Sequence, residues 1–478
     1  MTNAFEVIEP GQFEPANHFY DKALNAQMHS MVSYFLSLSQ QQMVERYIHM
    51  NPTVSYDKLE SILKQPTRHF FWGGADLFYV TTAAGNRKMI VLETNSCPSG
   101  QKSMPSMNDS DEYRGYKQLI ENSFLPQLKK RRLPSGVLAV IYDKNRMEAS
   151  GYAATLADLT QEPVYLVPYM NDAPEPCHFK DGVLTLNHKT TPIPVRACLR
   201  YVTQQPWNRI PVSTKTFIYN STLVCLSGGR NKLIANKAYE FYNSEIAETG
   251  LAINTPKTIR DVSKLEVPLW VERFGGYAVV KVPYGNAGQG VFTITSENEL
   301  KDFMEKEHHY DQFIVQSLIG HYNWSSSSHT GKYYHIGTLP NKKNDIFVAD
   351  LRVMVYSTPN GFLPCALYAR KARKPLAANI ESAESSWDIL GTNLSIKKGK
   401  NQWDTDTARL MLMDRRDFNT TGIGIDDLIE AYIQTVLSIT AIDHMAQNFL
   451  NSKNQFRKKL FSSMDSDQQL INEIKVST

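Results

Sequence analysis

At 478 residues the chain is long for one simple domain and predicts about two to four lobes. A composition of 42% hydrophobic and 21% charged residues excludes disordered and collagen-like classes, and a net charge of +3 demands no nucleic-acid partner. The five cysteines (Cys97, Cys177, Cys198, Cys225 and Cys365) are odd in number and scattered. Neither a disulfide framework nor a CxxC metal site is expected, and a reducing cytoplasm is the simplest setting. The opening MTNAFEVIEPG lacks the basic-then-apolar shape of a signal peptide, and no apolar run approaches transmembrane length. The basic cluster Lys129 to Arg132 reads as a solvated helix end.

In chain order, residues 16–50 carry apolar residues every three to four positions and predict a helix, with a second around 55–65. RHFFWGGADLFYVTTAAGNRKMIVLETN reads as strand, turn at Gly85-Asn86, strand, which is a β-hairpin. Asp76 is on its first arm, and Glu93 and Asn95 end the second. Residues 111–132 look helical. GVLAVIYD (136–143), a helix around GYAATLADLT and PVYLVPY (163–169) have the β-α-β rhythm of a parallel, Rossmann-like unit. A hairpin with Asp181-Gly182 at its turn follows. A helix begins near Asn231. Residues 277–294 read as strand, glycine-rich loop, strand, and 313–320 as another strand. Residues 347–356 and 362–372 predict paired strands, and 424–449 a long amphipathic helix. SSSS at 325–328 and KKGKNQ at 397–402 read as mobile loops, and the tail from 450 as helical or frayed.

Two features carry chemistry. Residues i and i+2 of a strand face one side, so Glu93 and Asn95 set two hard oxygen ligands together, which suits Mg²⁺. In KVPYGNAGQG, glycines 285, 288 and 290 let backbone N–H groups close around phosphate oxygens, with Lys281 at the strand end to reach them. No Lys-Ser/Thr follows the last glycine, so this is no Walker A loop. A strand follows instead of a helix, which argues against a dinucleotide fingerprint. A glycine-rich flap over phosphates or a plain hairpin fits.

The order of pieces resembles the ATP-grasp superfamily: Asn236-Lys237 opening a helix, Thr255-Pro256, VVK with the glycine loop, FIVQSLIG, then DLR. The resemblance implies that Lys237 and Lys281 hold the nucleotide with the loop residues Gly285, Asn286, Gly288, Gln289 and Gly290. It places Gln316 and Leu318 at the adenine hinge. Arg352 and Arg370 would face the γ-phosphate and an acyl phosphate, and Asn379 would lie near the triphosphate. Such enzymes end in a hairpin with Asp on one arm and Glu-x-Asn on the other, holding two Mg²⁺ ions. Downstream of 424–449 there is none, since Asp443 and Asn448 sit on helix periodicity. Asp76, Glu93 and Asn95 supply that hairpin at the other end of the chain. The resemblance is therefore to a circularly permuted ATP-grasp protein, an α/β fold with a Rossmann-like lobe. Its implied lobes are a permuted segment with the metal hairpin (1–110), the Rossmann-like lobe (111–228), a small nucleotide lobe (229–325) and a large lobe with C-terminal helices (326–478). The loop lacks the acidic residue of glutathione synthetase. IGHYNWSSSS lacks the glutamate that commonly holds the ribose, where His321 or Asn323 would have to substitute. NIESAES replaces a glycine pair of some branches.

The implied activity is an ATP-dependent ligase. It would activate a carboxylate as an acyl phosphate and join it to an amine, with ATP and Mg²⁺ as cofactors and small carboxylates and amines as partners. Neither nucleic acid nor membrane is expected, and a homodimer is the default for a soluble enzyme. The alternatives are a phosphotransferase on the same fold and a scaffold that binds nucleotide without chemistry. Plainer readings stand beside these. Asp76, Glu93 and Asn95 could be surface polars of a hairpin, and Arg352 and Arg370 structural ion-pair partners. Cys97 reads as a small buried residue and His308-His309 as a helix end. Arg200 reads as a lobe–lobe salt bridge or a substrate contact.

Overall fold

The computed structural model describes residues 5–108, 111–170, 176–188, 191–202, 207, 209–285, 290–327, 331–380, 385–397 and 403–474. Strand β1 (Glu6–Ile8) is followed by helices at Pro15–His18, Asp21–Leu24, Ser30–Ser37, Gln40–Met50 and Tyr56–Lys64. The segment expected as one helix over 16–50 is thus four. The last break is built by Ser39, whose hydroxyl accepts from Gln42 N–H while the Gln42 side chain accepts from Ser39 N–H. That reciprocal cap starts a new helix and stops the old one.

The hairpin forms where expected, as β2 (Trp72–Thr82) and β3 (Arg87–Ser96). Next come β4 (Val137–Tyr142), helix α1 (Arg146–Thr160) and β5 (Val164–Pro168), with β4 and β5 parallel. β6 (Cys177–Lys180) and β7 (Val183–Leu186) turn through Asp181 and Gly182, both at positive φ. β8 (Ile193–Tyr201) and β9 (Phe217–Tyr219) extend the parallel ladder beside β4. Arg196 and Arg200 hide β8 from an apolar-pattern reading. Arg200 is wholly buried and donates to the carbonyls of Asn220 and Val202, each at 2.6 Å, and to Ser96 Oγ at 3.1 Å. Among the described residues it makes no salt bridge, and it is not among the cavity-lining residues.

Helix α2 (Lys232–Glu245) leads into a four-stranded antiparallel sheet of β10 (Thr258–Ser263), β11 (Ala278–Lys281), β12 (Val291–Ile294) and β13 (Gln312–Ser317), in the order β10-β13-β11-β12. A third sheet is made by β14 (Tyr333–His335), β15 (Ala349–Thr358), β16 (Gly361–Lys371) and β17 (Leu410–Met411), with the N-terminal hairpin inserted into it. β2 pairs with β3 along one edge and with β15 and β14 along the other.

Helix α3 (Ile425–Asn448) packs on β3 and α2. Its buried Asp443 accepts the N–H groups of Arg68, His69 and Phe70 at 2.7–3.1 Å, which fixes the entry to β2. Helices α4 (Lys458–Met464) and α5 (Gln468–Glu473) close the chain. Between them, buried Asp465 accepts from Asn231 Nδ2 at 2.7 Å and Tyr284 Oη at 2.9 Å. The expected loop at 325–328 is instead anchored at its start: Ser325 and Ser326 are buried and hydrogen-bonded to the backbone of Leu318. Most of 397–402 lies outside the described residues. Among the described residues no helix is long and apolar enough to cross a membrane. The five cysteines are free and buried.

Glu430 of α3 accepts Met89 N–H at 3.1 Å, and burial pushes its carboxyl up to about 7. The unfolded chain ionises this group near 4.5, so the native state holds the extra proton and stability falls as pH rises from 4.5 to 7. Glu430→Gln, which keeps the acceptor, is expected to raise Tm by about 2 °C or more at pH 8 and to leave it nearly unchanged at pH 4. Calorimetry at both pH values checks the sign.

Candidate functional site

The three sheets converge on a cavity of about 840 Å³. One wall is the third sheet, the facing wall is the four-stranded sheet, and one end is formed by residues 143–145 at the carboxyl end of β4. That last position, beyond the ends of parallel strands, is where open α/β sheets receive ligands.

Register builds the charged floor. On β15, Arg352 stands opposite Asp76 of β2 and Tyr368 of β16, and Asp350 stands opposite Arg370. The period of two puts Asp350 and Arg352 on one face of β15, with Tyr368 and Arg370 on the matching face of β16. Arg352 grips Asp76 with two nitrogens, the Nη2–Oδ2 contact being 2.6 Å. Arg370 reaches Asp76 Oδ2 at 2.9 Å and Asp350 Oδ1 at 2.9 Å, and Thr392 Oγ1 donates to Asp350 at 2.8 Å. All four charged side chains are nine-tenths buried. Burial works to raise the Asp76 carboxyl, but Arg352 and Arg370 win and hold it well below the usual carboxylate range. For Asp350 burial prevails over Arg370 and the shift is upward.

Glu93 is the cross-strand partner of Asp76 on the other side of β2. The register slips between Asp76 and Leu77 and leaves Leu92 unopposed, a bulge. The Leu92 carbonyl accepts from Lys281 Nζ at 3.2 Å. Burial acts to raise the Glu93 carboxyl, and Lys232 and Lys281 more than offset it, so it is held low. Burial brings the Lys281 ammonium down to about 8 against the pull of Glu93. Asn95 Nδ2 donates to Glu93 Oε1 at 3.1 Å, and Asn95 Oδ1 accepts from Arg230 at 3.4 Å.

Lys237 does not reach the cavity. Its Nζ donates to Met464 O at 2.6 Å and pairs with Asp261 at 2.9 Å. Lys232 lines the cavity instead. Asn231 caps α2 by accepting from Leu233 and Ile234 N–H, and Lys232, the first helical residue, lies 3.4 Å from Glu93 and donates to Gly285 O at 2.5 Å. Five residues along a helix is a rotation of about 140° beyond a full turn, so the two lysines face apart. Gly285 and Gly290 frame the glycine loop, Gly290 at φ +75°, with Gly290 O accepting from Val282 N–H at 2.7 Å. Asn286, Gly288 and Gln289 lie outside the described residues.

Gln316 and Leu318 line the cavity, with Gln316 donating to Thr258 Oγ1 at 2.9 Å. Both backbone groups of Leu318 are engaged: its N–H donates to Ser326 Oγ and its carbonyl accepts from Ser326 N–H. Asn379 is exposed and stands outside the lining residues, as do His321 and Asn323. In their place the wall carries His335, which burial keeps neutral, with a pKa of about 3, against the opposing pull of the Ile319 backbone. Cys97 is buried at φ +56°, with its thiol pushed up by burial and Arg200 donating to Sγ at 3.3 Å. It does not line the cavity.

Sequence reading missed Lys232, Arg230, Lys102, Lys144 and His335, all lining residues, and took in Asp350, another, only as the first residue of the DLR motif, with no role of its own. Asp350 was legible as the i−2 neighbour of Arg352, and Lys144 as a residue just past a buried parallel strand. Glu93 and Asn95 offer a divalent cation two oxygen donors at the wall, and Glu93 keeps 27% of its side chain exposed. Asp76 is turned to its arginines. Among the described residues no three His, Cys, Asp or Glu side chains form a metal-binding group. Mg²⁺ takes only one or two carboxylates when phosphate oxygens complete its shell, so the donor set fits that ion.

The sequence matches no protein-family model and no curated protein. Similar solved structures include a glutathione synthetase-like effector from Globodera pallida, 11% identical over 71% of this chain and 81% of that one, with a TM-score of 0.36. A RimK domain ATP-grasp protein from Sphaerobacter thermophilus is 13% identical over 48% of this chain and 90% of its own, with a TM-score of 0.28. D-alanyl-alanine synthetase A from Vibrio cholerae is 10% identical over 49% and 89%, with a TM-score of 0.31. Likeness this loose carries no weight for function.

Among the described residues, Asp76→Ala leaves the buried Arg352 without a carboxylate partner and Arg370 with Asp350 alone. The expected loss is about 3–5 kcal/mol of stability, read as a lowered urea midpoint with an unchanged slope.

Proposed function

We propose that this chain is an ATP-dependent carboxylate–amine ligase of circularly permuted ATP-grasp architecture. The observation that carries the reading is the strand pairing of the N-terminal hairpin. It brings Glu93 and Asn95 beside Asp76, in register with Arg352, on one cavity with Lys232 and Lys281. A triphosphate needs cations along its length and a metal at its end, and these elements supply both kinds of site. On this reading residues 1–110 and 326–478 build one lobe, 111–228 the Rossmann-like lobe and 229–325 the small nucleotide lobe.

The nucleotide lies between the four-stranded sheet and the hairpin. The apolar end of the cavity, with Phe78, Val279, Leu318 and Ile319, takes the base. Lys232 and Lys281 bind phosphate oxygens as point charges. Glu93 and Asn95 would hold Mg²⁺, which would supply neutralisation of the triphosphate charge. Arg352 and Arg370, fixed by Asp76 and Asp350, present their remaining donors to the transferring phosphoryl group. A substrate carboxylate oxygen attacks the γ-phosphorus as the bond to ADP breaks. An amine then attacks the acyl carbon and phosphate departs. The residues contribute position and charge, and no enzyme nucleophile is used.

The test is ADP and phosphate release from Mg-ATP with pooled small carboxylates and amines, followed by mass spectrometry. A condensed product is expected, whereas a phosphorylated product would instead identify a phosphotransferase. Glu93→Ala is expected to stay folded and lose turnover, and undiminished ADP release would sink the site. Lys232→Ala should raise the KM for ATP by about tenfold or more, while Lys237→Ala should shift it less than about twofold. The reverse order would restore the original assignment to Lys237.

A further inference from the structure

One end of the cavity holds cations that the nucleotide machinery leaves unused. Lys102 and Lys144 both line it, and among the described residues neither has a carboxylate within ion-pair distance. Lys102 Nζ donates to Asn145 Oδ1 at 3.1 Å and lies 4.8 Å from the Tyr20 ring centroid. Lys144 Nζ lies 5.4 Å from the Tyr201 ring centroid. The acid nearest in sequence, Asp143, is paired with Arg209 at 2.9 Å. Elsewhere in the cavity the cations are answered: Lys232 and Lys281 by Glu93, Arg352 and Arg370 by Asp76 and Asp350.

The lysine end adjoins the arginine pair through one residue. Ser99 O accepts from Tyr368 Oη at 3.1 Å and Arg352 at 3.4 Å, and Ser99 Oγ accepts from Asn145 Nδ2 at 3.1 Å. Buried Glu148 fixes that hinge, accepting from Ser99 Oγ at 2.8 Å and from the N–H groups of Gly100 and Gln101. Arg230, which donates to Asn95 and to Ser96 O, borders the same end. The buried Lys102 and the half-buried Lys144, each with its ammonium beside an aromatic face and next to a built loop, form a receptor for negative charge. Burial brings Lys144 down to about 7, and a bound anion would return it to the charged form.

We propose that Lys102, Lys144 and Asn145 form an anion subsite that selects a substrate carrying a second negative group, a carboxylate or phosphate, in addition to the carboxylate presented to Arg352 and Arg370. The proposal rests on the ligase reading for the fate of the first carboxylate. The subsite itself binds without turnover.

The experiment is calorimetric titration of the full chain, with a non-hydrolysable ATP analogue present, using succinate, glutarate and adipate, their monomethyl esters, and 3-phosphoglycerate. At least one diacid is expected to bind about tenfold more tightly than its monoester. Lys144→Met and Lys102→Met should each erode that preference, and Lys144→Arg should keep it. Binding led by 3-phosphoglycerate would assign the subsite to phosphate, and binding led by a diacid to carboxylate. Equal affinity for diacids and monoesters, no binding of any dianion, or a preference untouched in both methionine variants overturns the proposal. If the diacid preference holds while the chain binds no nucleotide, the ligase reading fails and the anion subsite stands.

Discussion

The grip of Arg352 on Asp76 joins two stretches of chain 276 positions apart, and the rest of the site is arranged around it. It fixes the register of β2 against β15. That register in turn sets Glu93 beside Asp76 and delivers the bulge whose carbonyl holds Lys281. A slip by one residue would turn every side chain of β2 to the other face. The apolar face under α3 and the charged face toward the cavity would exchange places, so the ion pair and the hydrophobic core enforce one another.

Four buried charges are a costly way to hold strands together. Desolvation opposes each ion, and a well-packed apolar set of the same volume commonly does as well or better. The opposing shifts of Asp76 and Asp350 express that tension, since two guanidinium groups overcome burial at Asp76 whereas Arg370 without Arg352 does not at Asp350. What such a cluster offers beyond stability is rigidity: guanidinium planes held from below by fixed carboxylates need little reorganisation when charge develops in front of them. Tyr368 and Ser99 brace Arg352 further and connect the floor to the end wall.

Elements with a strong local signal were legible in the sequence. The hairpin, the β-α-β unit, the Asp181-Gly182 turn and the long C-terminal helix follow from period, turn chemistry and length. Glu93 and Lys281 were marked by position at strand ends, Gln316, Arg352 and Arg370 by the family resemblance, and all line one cavity. Lys237 was misplaced because the chain repeats an Asn-Lys pair at 231–232 and 236–237, and only the capping role of Asn231 separates them. Helix breaks within 16–50 escaped notice because the apolar spacing continues across Ser39. β8 escaped because a buried arginine satisfied by backbone carbonyls mimics a surface residue in a sequence. Lys102 and Lys144 carried no local mark, since their meaning arises only where the loop after β3 meets the end of β4.

The hairpin's place in the chain also shapes how the protein is made. β2 and β3 leave the ribosome before β15, which follows after some 276 further residues, a wait of tens of seconds at about 5–20 residues per second. Throughout that interval one edge of β2 has no strand to pair with, and the apolar face destined for α3 has no helix over it. An open edge of this kind is a template for association with other chains. The nascent polypeptide therefore passes through a long window in which chaperone capture and misassembly compete, and it closes only when β15 and α3 are synthesised.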